Sequence, residues 1–206
     1  MSSGQSIVKV NVTLIAVFLK LIVSAKSMRG NRRVALTGTP GTGKSSLAKM
    51  IRENGMIVES LEDIAIRLSC IDDIEEDGAR PIDIKKLRSQ LEVEWLERPQ
   101  LNTIIDGHLS HHFQVDCIVI LRCHPKILEN RYRKRGYTSE KISENIEWEI
   151  LGGPWNEISL EKACIEFDSS ELTTKQIFDG FMSWITDGFK PMDTSKVIDW
   201  ITRMDE

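Results

Sequence analysis

The stretch Gly38-Thr39-Pro40-Gly41-Thr42-Gly43-Lys44-Ser45 constrains this chain more than any other. It fits the pattern G-x-x-x-x-G-K-[ST], a loop whose glycines let the backbone curl so that successive N–H groups point at phosphate oxygens. Such a loop works between a strand and a helix, because the helix amino terminus adds its own donors and the positive end of its dipole. The flanking residues supply both. The apolar run Val34-Ala35-Leu36-Thr37 precedes the loop, and an amphipathic segment from Lys44 to Asn54 follows it. In this pattern the lysine reaches the β- and γ-phosphates and the Ser45 hydroxyl ligates magnesium.

Beyond the loop, short apolar runs alternate with longer periodic segments, the pattern of βαβ units and a parallel sheet. Strands are predicted at Val34–Thr37, Met56–Val58, Thr103–Asp106, Cys117–Leu121 and Ala163–Phe167. Helices are predicted at Lys44–Asn54, Asp83–Leu96, Lys126–Lys134, Ser139–Ile150, Thr173–Ile185 and Thr194–Met204. No repeat and no Gly-, Ser- or Pro-rich linker divides them, so one three-layer α/β domain is expected. Ile7 to Ala25 is the most apolar part of the chain, but Lys20 interrupts it. The charge-free piece Val10 to Leu19 is too short to span a bilayer. Met28 opens the phrase MRGNRRVALTGTPGTGKSS, which reads as the natural start of the domain. Residues 1–27 are therefore expected to be an N-terminal extension and residues 28–206 the domain, with no stable membrane insertion.

Charge and cysteine usage narrow the function classes. Lys plus Arg number 27 against 31 Asp plus Glu, a net charge of −4, which argues against non-specific coating of nucleic acid. Cys70, Cys117, Cys123 and Cys164 are scattered and read as reduced core residues of a cytoplasmic protein. Cys117, Cys123 and His124, with His111 and His112 upstream, match no standard zinc spacing, and no metal is expected of that set.

Two further elements bear on phosphate chemistry. Leu101-Asn102-Thr103-Ile104-Ile105-Asp106-Gly107-His108 is an apolar strand ending in a carboxylate, the arrangement that presents Asp106 to magnesium beside a phosphate loop. Arg131 and Arg135, in Arg131-Tyr132-Arg133-Lys134-Arg135-Gly136-Tyr137, are four apart and share one helix face. Two guanidiniums there, next to a glycine, suit a lid that clamps transferring phosphates. The acidic run Asp72 to Asp77 reads as a solvated loop. Trp95, Trp184 and Trp200 read as core, whereas Trp148 and Trp155, around Gly152-Gly153-Pro154, read as lining a site or partner surface.

Taken together, GTPGTGKSS, DGHLSHH, VILRCHPKIL, NRYRKRGYTSEKISENIEWEIL and IEFDSS resemble, in that order, the archaeal and nuclear branch of adenylate kinases that also assists small-ribosomal-subunit maturation. The resemblance runs from about Met28 to about Ser170. It implies a P-loop nucleoside monophosphate kinase fold with a five-stranded parallel sheet, a monophosphate arm around Glu59 to Ile82 and a lid from about Lys134 to Asn145. ATP contacts would fall on Gly41, Thr42, Gly43, Lys44, Ser45, Ser46 and Arg135, and magnesium on Ser45 and Asp106. Catalysis would rest on Lys44, Asp106, His108, Arg131 and Arg135, with Asp106 and His108 matching an Asp-x-His element linked to ATP hydrolysis. The substrates implied are Mg-ATP and AMP or another nucleoside monophosphate. A basic small-subunit ribosomal protein is the implied partner, with an indirect role in rRNA maturation, and the protein is expected to be a monomer. Two features depart from the family pattern. The arm arginine, Arg67, falls one residue late, leaving Arg80 as its rival, and Gly152-Gly153-Pro154-Trp155 interrupts the helix after the lid.

Overall fold

The computed structural model describes residues 30–71, 81–159 and 161–204. The proposed extension, the acidic run from Asp72 and the rival Arg80 lie outside the described residues. Residues 32–206 form the compact unit that holds the sheet.

Five strands form one parallel sheet: β1 (Arg33–Gly38), β2 (Ile57–Ser60), β3 (Thr103–Asp106), β4 (Cys117–Arg122) and β5 (Ala163–Asp168). Their order is β2-β3-β1-β4-β5. β1 is thus central, pairing with β3 (Leu36 opposite Asp106) and with β4 (Gly38 opposite Leu121). The chain leaves β1 to build one half of the sheet and later returns to build the other. The carboxyl end of β1 is therefore the topological switch point at which open α/β sheets bind ligands.

Alternation along the strands divides the core into two layers. Val34, Leu36, Ile104, Cys117, Val119 and Leu121 face α1 (Lys44–Glu53) and α6 (Thr174–Thr186), meeting Leu47, Ile51, Phe178, Phe181 and Trp184. Ala35, Ile105, Ile118 and Ile120 face α2 (Leu61–Arg67) and α3 (Ile84–Glu94), meeting Leu61, Ile64, Leu87 and Leu91. A smaller cluster of Cys123, Leu128 and Tyr132 joins α4 (Pro125–Lys134) to α5 (Ser139–Ile150) through Tyr137, Ile142 and Ile146. All four cysteines are free and buried. No helix among the described residues is long and apolar enough to cross a membrane.

Two expectations need correction. The segment 194–204 is not one helix. Asp193 accepts from the Ser195 N–H and starts a short 3-10 turn at Thr194–Lys196, then Asp199 accepts from the Ile201 and Thr202 N–H groups and starts α7 (Trp200–Met204) afresh. The arm contains a helix, α2, that periodicity did not indicate, begun by the Ser60 side chain accepting from Asp63. The Gly152-Gly153-Pro154 segment does interrupt the helix after the lid, as expected. Gly152 (φ 106°) and Gly153 (φ 55°) take left-handed conformations and lead into a 3-10 turn at Gly153–Asn156.

Candidate active site

The phosphate loop leaves the carboxyl end of β1 and runs into α1, as its sequence requires. The amino-terminal cap of α1 is Gly43, left-handed at φ 103°, and it offers no side-chain acceptor to the first turn. The other long helices do receive such caps: Asp83 on α3, Thr138 on α5, and Thr173 with Gln176 as a capping box on α6. The Ser46 N–H bonds to the Gly43 carbonyl at 3.1 Å, but no side chain caps the N–H groups before it, the arrangement that binds phosphate.

Lys44 folds back over the loop, its Nζ donating to the Gly38 carbonyl at 2.6 Å and the Thr39 carbonyl at 3.0 Å. Burial lowers its pKa to about 8, against the pull of Asp106 and Glu149. Asp106 sits half-buried at the end of β3, where desolvation raises its carboxyl above the usual range while Lys44 and Arg52 oppose the shift. A partly dehydrated carboxylate facing the loop lysine, with the exposed Ser45 hydroxyl on α1, is a hard oxygen donor set that fits magnesium.

Thr42, Gly43, Ser46, Arg131 and Arg135 share one cleft with Gly41, closed on its far side by Ser169 and Thr174. Arg131 donates to the Gly41 carbonyl at 2.9 Å and to the Ser169 carbonyl at 3.2 Å, so it holds the loop from outside. Tyr132 adds a hydroxyl bond to the Pro40 carbonyl. Arg135 ends α4 with its guanidinium over Gly41, 3.6 Å from where a Cβ there would lie. On the opposite side of the loop a second cleft of about 520 Å³ is lined by Gly38, Thr39, Pro40, His108, Lys141, Asn145 and Trp148. His108 stands at its rim. Partial desolvation of this exposed side chain, then the Lys44 charge, hold the His108 pKa below its ordinary value, so the imidazole is neutral at pH 7.

The structure therefore brings Lys44, Asp106, His108, Arg131 and Arg135 around one loop. It does not bring Arg67, which forms a bidentate pair with Glu94 at 2.8 Å on the surface. The expected lid from Lys134 to Asn145 consists of the end of α4, a turn at Gly136 and the first half of α5.

Sequence reasoning missed Glu149, which is fully buried at the end of α5. It accepts from Arg122 Nε at 2.7 Å, the Cys123 N–H at 3.1 Å, Trp200 Nε1 at 3.0 Å and the Thr39 hydroxyl. One carboxylate thus ties the phosphate loop to β4, to the helix after the lid and to the carboxyl-terminal helix. A glutamate in a charged helix carries no local sign of this role.

The chain matches the family described as "AAA domain" over residues 34–152. It is 37% identical over 175 residues to a protein of Pyrococcus abyssi named "Putative adenylate kinase", covering 84% of this chain and 93% of that one. A protein of the same name from Archaeoglobus fulgidus is 35% identical over 177 residues, covering 84% and 94%. Among solved structures, shikimate kinase from Acinetobacter baumannii in complex with shikimate superposes with a TM-score of 0.54 at 13% identity, covering 79% of this chain and 97% of that one. The shikimate kinase from Bacteroides thetaiotaomicron gives 0.51 at 18%, covering 75% and 98%. These two likenesses establish a P-loop kinase fold. With the loop, the sheet order and the match over most of the relatives' length taken together, the chain belongs to the family described as "AAA domain" and to the family of the archaeal proteins named "Putative adenylate kinase".

Proposed function

We propose that this protein moves the terminal phosphate of Mg-ATP to AMP or a similar nucleoside monophosphate. The observation that carries the reading is the pair of clefts meeting at one phosphate loop. One cleft holds the α4 arginines and the uncapped start of α1, and the other holds His108 and the α5 face. The relatives' name supports the same acceptor class.

The chain's work is positioning and charge neutralisation, because an acceptor phosphate is already a competent nucleophile and needs no general base. The loop N–H groups and Lys44 would cradle the β- and γ-phosphates, and Arg135 would approach from the lid as charge spreads over the transferring group. Ser45 and Asp106 would hold magnesium, which supplies charge neutralisation on the phosphate oxygens. Arg131 would keep the Gly41 carbonyl turned away from the phosphates, leaving the N–H groups facing them.

A second reading, slow ATP hydrolysis gating assembly of the small ribosomal subunit through a basic ribosomal protein, draws on His108. A neutral imidazole at the cleft rim can accept a hydrogen bond from a water and orient it, its lowered pKa making it a weak base. ADP production from Mg-ATP, with and without each nucleoside monophosphate, separates the two readings. Dependence on AMP supports transfer. Indifference to every monophosphate, with stimulation by a small-subunit ribosomal protein, makes hydrolysis the main reaction.

A further inference from the structure

His111, His112 and Glu157 lie outside the machinery assigned above, yet their side chains converge. His111 Nε2 is 3.0 Å and His112 Nε2 is 3.3 Å from the same oxygen, Glu157 Oε2, and the three ligand atoms all lie within 4.8 Å of one another. The hydrogen bonds behind them fix the chemistry. The Thr37 hydroxyl has one proton, and the His108 carbonyl at 2.9 Å can only accept it. The bond of 2.8 Å between Thr37 Oγ1 and His111 Nδ1 must then be donated by the imidazole, which assigns the Nδ1–H tautomer. In the neutral ring the outer nitrogen, Nε2, is then a lone pair aimed at a carboxylate, and two acceptors at 3.0 Å require a proton or a metal ion between them. The His111 side chain is almost fully buried, and Thr37 wholly so.

We propose that His111 Nε2, His112 Nε2 and Glu157 Oε2 form a site for one divalent ion of the zinc class. Around a tetrahedral zinc with bonds of about 2.0–2.1 Å, neighbouring ligand atoms stand roughly 3.3 Å apart; His112 Nε2 stands 3.3 Å and His111 Nε2 3.0 Å from the carboxylate oxygen, and the two nitrogens lie within 4.8 Å of each other. Imidazole and carboxylate donors suit such an ion, whereas magnesium prefers oxygen alone. The Thr37 bond to His111 Nδ1 is the outer-shell support that ligating histidines receive. Three protein ligands leave a fourth position open, and His111 and Glu157 line the cleft that also holds Thr39, Pro40 and His108. A bound ion would clasp the turn after α5 to the loop that follows Asp106 and His108. The Gly152-Gly153-Pro154 turn is what carries Glu157 back to His111.

The test uses the full chain without an affinity tag, stripped with a chelator and then given Zn²⁺ or Co²⁺ in the presence of excess Mg²⁺. The expected result is one equivalent of metal per chain, a tetrahedral Co²⁺ absorption spectrum without thiolate charge-transfer bands, and no displacement by Mg²⁺. His112→Ala and Glu157→Gln should each weaken binding by at least the roughly 100-fold that outer-shell substitutions can reach. In the wild-type chain, nitrogen NMR should show His111 Nε2 shifting on addition of Zn²⁺ while Nδ1 stays protonated, a readout that needs no variant to fold. Absence of stoichiometric uptake, unmoved His111 and His112 ring nitrogens, or uptake unchanged in both variants would overturn the site. None of these readouts involves phosphoryl transfer, so the site and the kinase reading stand or fall separately.

Discussion

Removing the Glu149 side chain should do more damage than removing any single cationic residue at the surface. In Glu149→Ala, Arg122 keeps Glu166 at 3.2 Å and the Ile198 carbonyl at 3.4 Å but loses its 2.7 Å carboxylate partner, in a site with no solvent access. The Cys123 N–H, the Trp200 indole N–H and the Thr39 hydroxyl lose their acceptor at the same time. Arg122 is left with one carboxylate in place of two and three buried donors lose their acceptor, a loss of about 3–5 kcal/mol. At about 2–4 °C per kcal/mol for a domain of this size, the melting temperature should fall by about 6–20 °C. Urea unfolding followed by tryptophan fluorescence and far-ultraviolet circular dichroism measures it, with coincident transitions as the check on two-state behaviour. Glu149→Gln, which keeps the volume and one oxygen acceptor for these donors, should recover part of the loss. Destabilisation below about 1 kcal/mol in Glu149→Ala, or Glu149→Gln as damaging as Glu149→Ala, would refute the view that this carboxylate anchors the phosphate loop.

Three further outcomes follow from the site. Lys44 binds phosphate only when charged and has a pKa near 8 in the free protein, so kcat/KM for ATP should be level at neutral pH. It should then fall by up to about tenfold per pH unit above 8, while kcat holds to higher pH because bound phosphates restore the charge; a kcat/KM profile without a break there contradicts the assignment. Gly38 has φ 140°, and a Cβ on it would lie 2.2 Å from the Leu121 carbonyl oxygen of the neighbouring strand. Gly38→Ala should therefore cost about 4 kcal/mol or more and be seen as lost soluble expression, whereas a wild-type melting temperature would show the β1–β4 contact to be looser than described. His108→Ala should keep nucleotide affinity, read by calorimetry, and lose ATP hydrolysis; an unchanged hydrolysis rate removes His108 from that reaction.

What could be read from the sequence was what local pattern encodes. The phosphate loop, the buried strand runs and α5 from Ser139 to Ile150 depend on neighbours within a turn or a strand, and the structure places them where periodicity puts them. α2 escaped because seven residues hold too little periodicity to separate a short helix from a loop. The last helix was misread because Asp199 looks like one more exposed helical position until its side chain is seen capping Ile201 and Thr202. The remaining features are long-range in sequence: Glu149 meets Thr39 across 110 positions, and Glu157 meets His111 across 46. No window along the chain contains both partners, so only the fold reveals either pairing.

The measurement that bears most directly on the proposed reaction follows the label from γ-phosphate-labelled ATP incubated with AMP, magnesium and the wild-type chain, beside Lys44→Ala. Phosphoryl transfer predicts label in the β-position of ADP formed from AMP, with little inorganic phosphate, and a rate lower by about 10²–10³-fold or more in Lys44→Ala. Label appearing only in inorganic phosphate, or appearing equally fast without the Lys44 ammonium group, contradicts it.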